Sequence, residues 1–161
     1  MKIRDATDKD ITSIQLLHDK FILDVQRADD PEYGAMVQQR GFTVSAGGSE
    51  IAQRLRTSVL LNVAEVNDEV VGYIDMSKEE YFPEDADNII WFNKDKKAIY
   101  YHDEYALTLH HIVTDIPGKG IATGLFENAL SDLKQEGYQH VFSIVATAPL
   151  SNCASIIWHT R

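Results

Sequence analysis

Ile112-Val113-Thr114-Asp115-Ile116-Pro117-Gly118-Lys119-Gly120-Ile121-Ala122-Thr123 is the stretch that decides how this chain folds. An apolar, β-branched run ends at Thr114, a proline and two glycines follow, and apolar residues then recur every three or four positions from Ile121. That order predicts a strand, a glycine-rich turn and a helix. Such a junction suits an anion, because the first N–H groups of a helix lack intrahelical partners and the helix dipole adds roughly 0.3–1 kcal/mol for a negative charge. Gly118 and Gly120 permit unusual dihedrals and let phosphate oxygens approach the backbone. Two familiar phosphate loops do not fit. A P-loop needs Ser or Thr directly after Gly-Lys, where this chain has Gly120, and a dinucleotide-binding turn needs a final glycine where it has Thr123.

Downstream of the turn, Ile121, Leu125, Ala129 and Leu133 share one helix face with Phe126 and Leu130 beside it, predicting a helix from Lys119 to Glu136 that Gly137 caps. Val141 to Ala146 reads as a buried strand, Pro149 breaks the chain, and Ser151 or Asn152 caps a last helix through Ile156, Ile157 and Trp158. Upstream, Ala98 to Val113 alternates as a long strand, and Val59–Val66 with Val70–Met76 form a hairpin around Asn67-Asp68-Glu69. Lys78 to Lys97 is charged and carries Tyr81, Phe82, Trp91 and Phe92; it is either a lid over a cleft or a solvated excursion with docked aromatics.

At the N-terminus, Ile3 marks a short strand and Thr7-Asp8-Lys9-Asp10 a capping box. Ile11, Ile14, Leu17, Phe21 and Val25 form the apolar stripe of a following helix, with Asp19, Lys20 and Arg27 in water and Asp29-Asp30-Pro31 closing it. Glu32 to Gly48 shows no period, and Ser49 opens a short helix carrying Ile51 and Leu55. The sum is one α+β domain over residues 1–161, with a mixed, mostly antiparallel central sheet flanked by helices.

Bulk properties narrow the function. A chain of 161 residues supports one sizeable core. No stretch reaches the roughly 18 apolar residues of a membrane span, and Met1-Lys2-Ile3-Arg4-Asp5 lacks the apolar run of a secretory signal, so the expected location is cytoplasmic, with no membrane partner. Cys153 is the single cysteine, which excludes an internal disulfide and a multi-cysteine zinc site and suits a small buried side chain on a helix. A formal charge of −10 argues against nucleic acid and is compatible with a cationic partner such as an amine. His110 and His111 are adjacent and alternate across a strand, so no metal site is expected.

The turn resembles the acetyl-CoA signature of the GNAT N-acetyltransferases, Gln/Arg-x-x-Gly-x-Gly/Ala: Pro117 stands at the first position, Gly118 and Lys119 are variable, and Gly120, Ile121 and Ala122 complete it. Pro117 offers neither a side-chain nor a backbone donor, so one phosphate contact is lost. The segment Asn152-Cys153-Ala154-Ser155 is similar to the family's Asn-x-x-Ser/Ala, and the order of elements matches along nearly the whole chain. The resemblance implies direct transfer of acetyl from acetyl-CoA, as co-substrate, to a primary amine of a small molecule or peptide. It implies that Ile112, Val113 and Thr114 pair with the pantetheine arm, that Pro117, Gly118, Lys119, Gly120, Ile121, Ala122 and Thr123 hold the pyrophosphate, and that Asn152 and Ser155 line the thiol end.

A base must take a proton from the amine before attack. Glu104, eight residues before Ile112, is the first candidate by family position, and His110 and His111 are its rivals. Alternation sets Glu104, Thr108 and His110 on one strand face and Asp103 and His111 on the other, unless a bulge breaks the parity. His159 stands where the family places the Tyr that protonates the departing thiolate, and the sequence stops at Arg161, before the family's last strand. Family habit also admits a homodimer. Two other readings remain open: a non-catalytic acyl-CoA-binding or partner-binding module, and a nucleotide-binding domain unrelated to acyl transfer.

Overall fold

A computed structural model describes residues 1–44, 52–53, 56–78 and 83–160. Five strands form one sheet in the order β1-β2-β3-β4-β5: Lys2–Asp5, Leu60–Val66, Glu69–Ser77, Ala106–Thr114 and His140–Ser143. The first four pair antiparallel, and β5 lies parallel to β4. The β2–β3 turn takes positive φ at Asn67 (52°) and Asp68 (65°), the twist that joins two antiparallel strands most tightly and that short polar side chains tolerate. The mixed, mostly antiparallel α+β architecture expected from the sequence is thus present.

Around it pack the helices α1 (Ile11–Asp19), α2 (Pro31–Arg40), α3 (Lys97–His102), α4 (Ile121–Gln135) and α5 (Cys153–His159). Ile121, Leu125, Ala129 and Leu133 of α4 are buried against Leu60, Ala64, Ile74, Met76, Leu107 and Leu109 of the sheet. Ile14 and Leu17 of α1 cover the opposite face over Val63, Tyr73 and Val113. A third cluster ties Leu23, Tyr33, Val37 and Phe42 to Ala146 and Leu150, which joins α2 to the segment before α5. Helix α4 ends as its sequence predicts. Gly137 has φ +91°, Tyr138 N–H donates to Leu133 O and Gly137 N–H to Lys134 O, a Schellman closure.

Several expectations need correction. Helix α1 ends at Asp19, so Phe21 falls outside it and Val25 sits in an exposed 3₁₀ turn, Val25–Arg27. The chain leaves the helix because Ile22 bridges to Thr43 and Asp24 caps that turn through Gln26 N–H. Asp30-Pro31 starts a helix instead of closing one: Asp30 Oδ1 accepts from Glu32 N–H and Tyr33 N–H, and Pro31 occupies the first helical position. Helix α3 occupies the start of the predicted long strand, which begins only at Ala106. Strand β5 stops at Ser143 and is half-buried, as an edge strand is, and Cys153 is also only half-buried. Of the helix expected at Ser49, Ala52 and Gln53 are helical, while Ser49, Ile51 and Leu55 lie outside the described residues, as do Tyr81 and Phe82. Trp91 packs edge-on to Tyr100 and Phe142, whereas Phe92 is 98% exposed.

Candidate active site

The glycine-rich turn has the geometry an anion needs. Gly118 and Gly120 have φ of +73° and +72°, a region that side-chain-bearing residues adopt only under strain. Pro117 to Gly120 is exposed, and the backbone N–H groups of Ile121, Ala122 and Thr123 have no partner among the described residues. These groups converge at the N-terminus of a 15-residue helix, where the dipole favours negative charge. The helix is seated firmly, because Gly72 of β3 lets it come close. A Cβ at that position would meet Val113 O at 3.0 Å, Ile121 Cγ2 at 3.1 Å and Leu125 Cδ1 at 3.3 Å.

Beside the turn, the sheet opens. Strand β4 pairs with β5 only over Ala106–Leu109, against His140–Ser143, so its edge from His110 to Thr114 is left without a β5 partner. Ile112, Val113 and Thr114 lie on this free edge, which leads directly into the turn. An extended ligand with amides can complete the ladder there, and its anionic end then reaches the α4 N-terminus.

A β-bulge sits where the opening begins. Met76 faces Leu109 while Asp75 faces His111, so His110 is an extra residue on β4. The bulge overturns the predicted alternation: His110 and His111 both project to the α1 face. His110 Nε2 lies 2.7 Å from Ser77 Oγ, and His111 Nδ1 lies 2.8 Å from Asp75 Oδ1, with the two rings 6.4 Å apart.

Helix α1 completes the cluster with His18. Its Nδ1 is 2.6 Å from the Tyr73 hydroxyl, and its ring meets His111 edge to face at 4.9 Å. His18, Tyr73 and Asp75 are fully buried and His111 is 6% exposed. Asp75 Oδ2 is, among the described residues, the buried side-chain atom that has no hydrogen-bond partner. Sequence reasoning missed His18, Tyr73, Asp75 and Ser77. Two signals were available: an Asp inside the apolar run Val70–Met76, and a His at i+4 from Ile14 on the apolar stripe of α1.

The other candidates stand elsewhere. Glu104 is an exposed turn residue beside Asp103, whose Oδ1 accepts from Tyr105 N–H, and it lines a shallow depression with Ala98, Ile99 and His102. From Ala106 to His110 the strand rises about 13 Å at roughly 3.3 Å per residue, so Glu104 and His110 do not share a cleft. Asn152 caps α5 by accepting from Ser155 N–H and holds Phe42 O with its amide at 2.7 Å, a bridge between α5 and the end of α2. His159 folds back on its own helix, with Nδ1 2.8 Å from Ser155 O. No group of three or more potential metal ligands occurs among the described residues, and no described helix is long and apolar enough to cross a membrane.

No family model and no curated protein sequence matches this chain. Solved structures do. It is similar to an N-acetyltransferase from Staphylococcus aureus Mu50, with TM-score 0.60 and 19% identity over 99% of this chain and 79% of that one. It is also similar to a ribosomal-protein-alanine N-acetyltransferase from Brucella melitensis (TM-score 0.60, 17% identity, 99% and 82% covered). A third likeness is to PaiA N-acetyltransferase from Thermoplasma acidophilum in complex with coenzyme A (TM-score 0.61, 11% identity, 99% and 86% covered). With TM-scores of 0.60–0.61 over nearly its whole length, this chain has the fold of the GNAT N-acetyltransferases.

Proposed function

We propose that the protein transfers an acetyl group from acetyl-CoA directly to a primary amine of a small molecule or peptide. The observation that carries this reading is the continuity of the free β4 edge with the unpartnered N–H groups at the start of α4. Acetyl-CoA supplies an activated thioester. Ile112, Val113 and Thr114 pair with its pantetheine amides, and Gly118 to Thr123 receive its pyrophosphate through backbone N–H groups, with Lys119 adding charge from the exposed turn. Pro117 contributes shape without a donor. The ladder fixes the acetyl carbon at the bulge, next to the cluster on the α1 face, where an acceptor amine can be deprotonated. Holding the two reactants in an attack geometry supplies as much as roughly 7–11 kcal/mol of the barrier in the best intramolecular models.

The test is thermal stabilisation by CoA in the wild type and in Gly120→Glu, which sets a charge and a side chain at a φ of +72° on the phosphate approach. CoA raises the wild-type melting temperature and leaves the variant unmoved if the cradle is correct. An equal shift in both would remove the turn from the site. A shift with ATP and none with CoA would replace the reading with a nucleotide-binding one.

A further inference from the structure

The bulge brings two histidines to the same face, and their partners distinguish them. Ser77 hydroxyl can donate or accept, so it leaves the tautomer of His110 open. An ionised carboxylate only accepts. Asp75 Oδ1, 2.8 Å from His111 Nδ1, therefore holds the proton of a neutral His111 on Nδ1 and leaves a lone pair on Nε2. That nitrogen makes no hydrogen bond among the described residues, and His111 is 6% exposed where its neighbours His18, Tyr73 and Asp75 are fully buried.

Everything packed around His111 supports this arrangement. From β3 come Asp75 and Tyr73, from α1 His18, and from β4 His110. Asp75 is the one formally charged group of this set, and His111 is its one hydrogen-bond partner, since its second oxygen has none among the described residues. A fully buried carboxylate is costly unless paired, so its presence on an apolar strand requires a donor. The same buried charge stabilises the imidazolium that forms when Nε2 takes up a proton. His18, tied to Tyr73 at 2.6 Å, packs edge to face on the His111 ring and limits its rotation.

We propose that His111 is the base that removes the proton from the acceptor ammonium, and that Asp75 is the positioning residue that sets its tautomer; the proposal rests on the acetyl-transfer reading above. The ammonium gives one proton to His111 Nε2, directly or through one water. The freed nitrogen bonds to the acetyl carbon and the carbon–sulfur bond breaks. The second amine proton passes to the departing thiolate, and His111 returns its own to solvent, so charge and protons balance.

The experiment joins nitrogen-15 NMR of the histidine rings with steady-state kinetics on the wild type, Asp75→Asn and His111→Asn. The wild type shows His111 protonated at Nδ1 and bare at Nε2, and Asp75→Asn, whose amide can donate to Nδ1, shows the reverse. His111→Asn retains a donor for Asp75 and so protects the fold. Both variants lose about 10²- to 10⁴-fold in kcat, keep KM for acetyl-CoA within about threefold, and His111→Asn loses the acid limb of the pH profile. A wild-type Nε2–H tautomer, or a His111→Asn enzyme that retains its rate and acid limb, overturns the proposal. A wild type with the Nδ1–H tautomer but no turnover on any amine overturns the acetyl-transfer reading and the base role together, and so is distinguishable from failure of His111 alone.

Discussion

Gly72→Ala probes the contact that seats the phosphate-binding helix on the sheet. Gly72 pairs with Ala64 on one side and Thr114 on the other, directly beneath the first turn of α4. The added methyl would lie 3.0 Å from Val113 O and 3.1 Å from Ile121 Cγ2, and the first is backbone that cannot rotate away. Overpacking of this kind costs about 1–3 kcal/mol, and replacing glycine within a strand returns about 0.5–1 kcal/mol. The net is a loss of up to about 2.5 kcal/mol, with a midpoint of roughly 1 kcal/mol, which for a chain of this size lowers the melting temperature by roughly 2–4 °C at the midpoint and up to about 10 °C. Because Ile121 is the first residue of α4, relief of the clash displaces the N–H groups that face the turn. Calorimetric unfolding with and without CoA reads both effects: a lower melting temperature and a smaller CoA-induced shift. An unchanged melting temperature with an unchanged CoA shift would refute the argument that close approach at Gly72 positions the cradle.

Gly124→Ala is the contrasting case within α4: its Cβ would meet only the flexible ends of Met1 and Ile3 at 3.3 and 3.4 Å, so stability rises by up to about 1 kcal/mol in urea unfolding. Tyr73→Phe removes the buried 2.6 Å hydrogen bond to His18 and costs about 1–3 kcal/mol in the same assay. Asp10 predicts an acid limb of stability. Arg4's bidentate guanidinium and the Thr7 N–H hold its carboxyl far below the usual range, against the opposing effect of burial. A depressed value means that the stabilisation is complete above the unfolded value of about 3.9 and is lost as pH falls below it toward the folded value. Asp10→Asn should therefore lose about 1–2 kcal/mol near neutrality and flatten the pH dependence of chemical unfolding below about pH 4. Phe92→Ser, at a site that is 98% exposed, should change stability by less than about 0.5 kcal/mol.

What the sequence made legible was set by how local each signal is. Helix α4 carries its full apolar stripe and its own stop at Gly137, and the β2–β3 turn carries Asn67 and Asp68, so both were readable from neighbouring residues. Helix α2 buries only Tyr33, Gly34 and Val37, too few apolar positions to show a period, and Pro31 was misread as a stop when Asp30 makes it a start. The bulge at His110 depends on pairing with a strand more than 30 positions away and leaves no local mark, so alternation divided two histidines that the fold unites. Glu104 was misplaced for a related reason: the alternation of residues 98–105 is compatible with strand, but α3 and the Asp103 turn occupy them. Asp75 was visible as an acidic residue in an apolar strand, and its partner was not, since only the sheet register brings His111 opposite.

The most direct test of acetyl transfer is release of free CoA thiol from acetyl-CoA by the wild-type protein across a panel of small-molecule and peptide amines, measured where CoA binding is saturated. The account predicts release that depends on at least one amine, saturates with it and yields the acetylated amine in equal amount. CoA binding with no amine-dependent release on any member of the panel would contradict it and leave an acyl-CoA-binding module in its place.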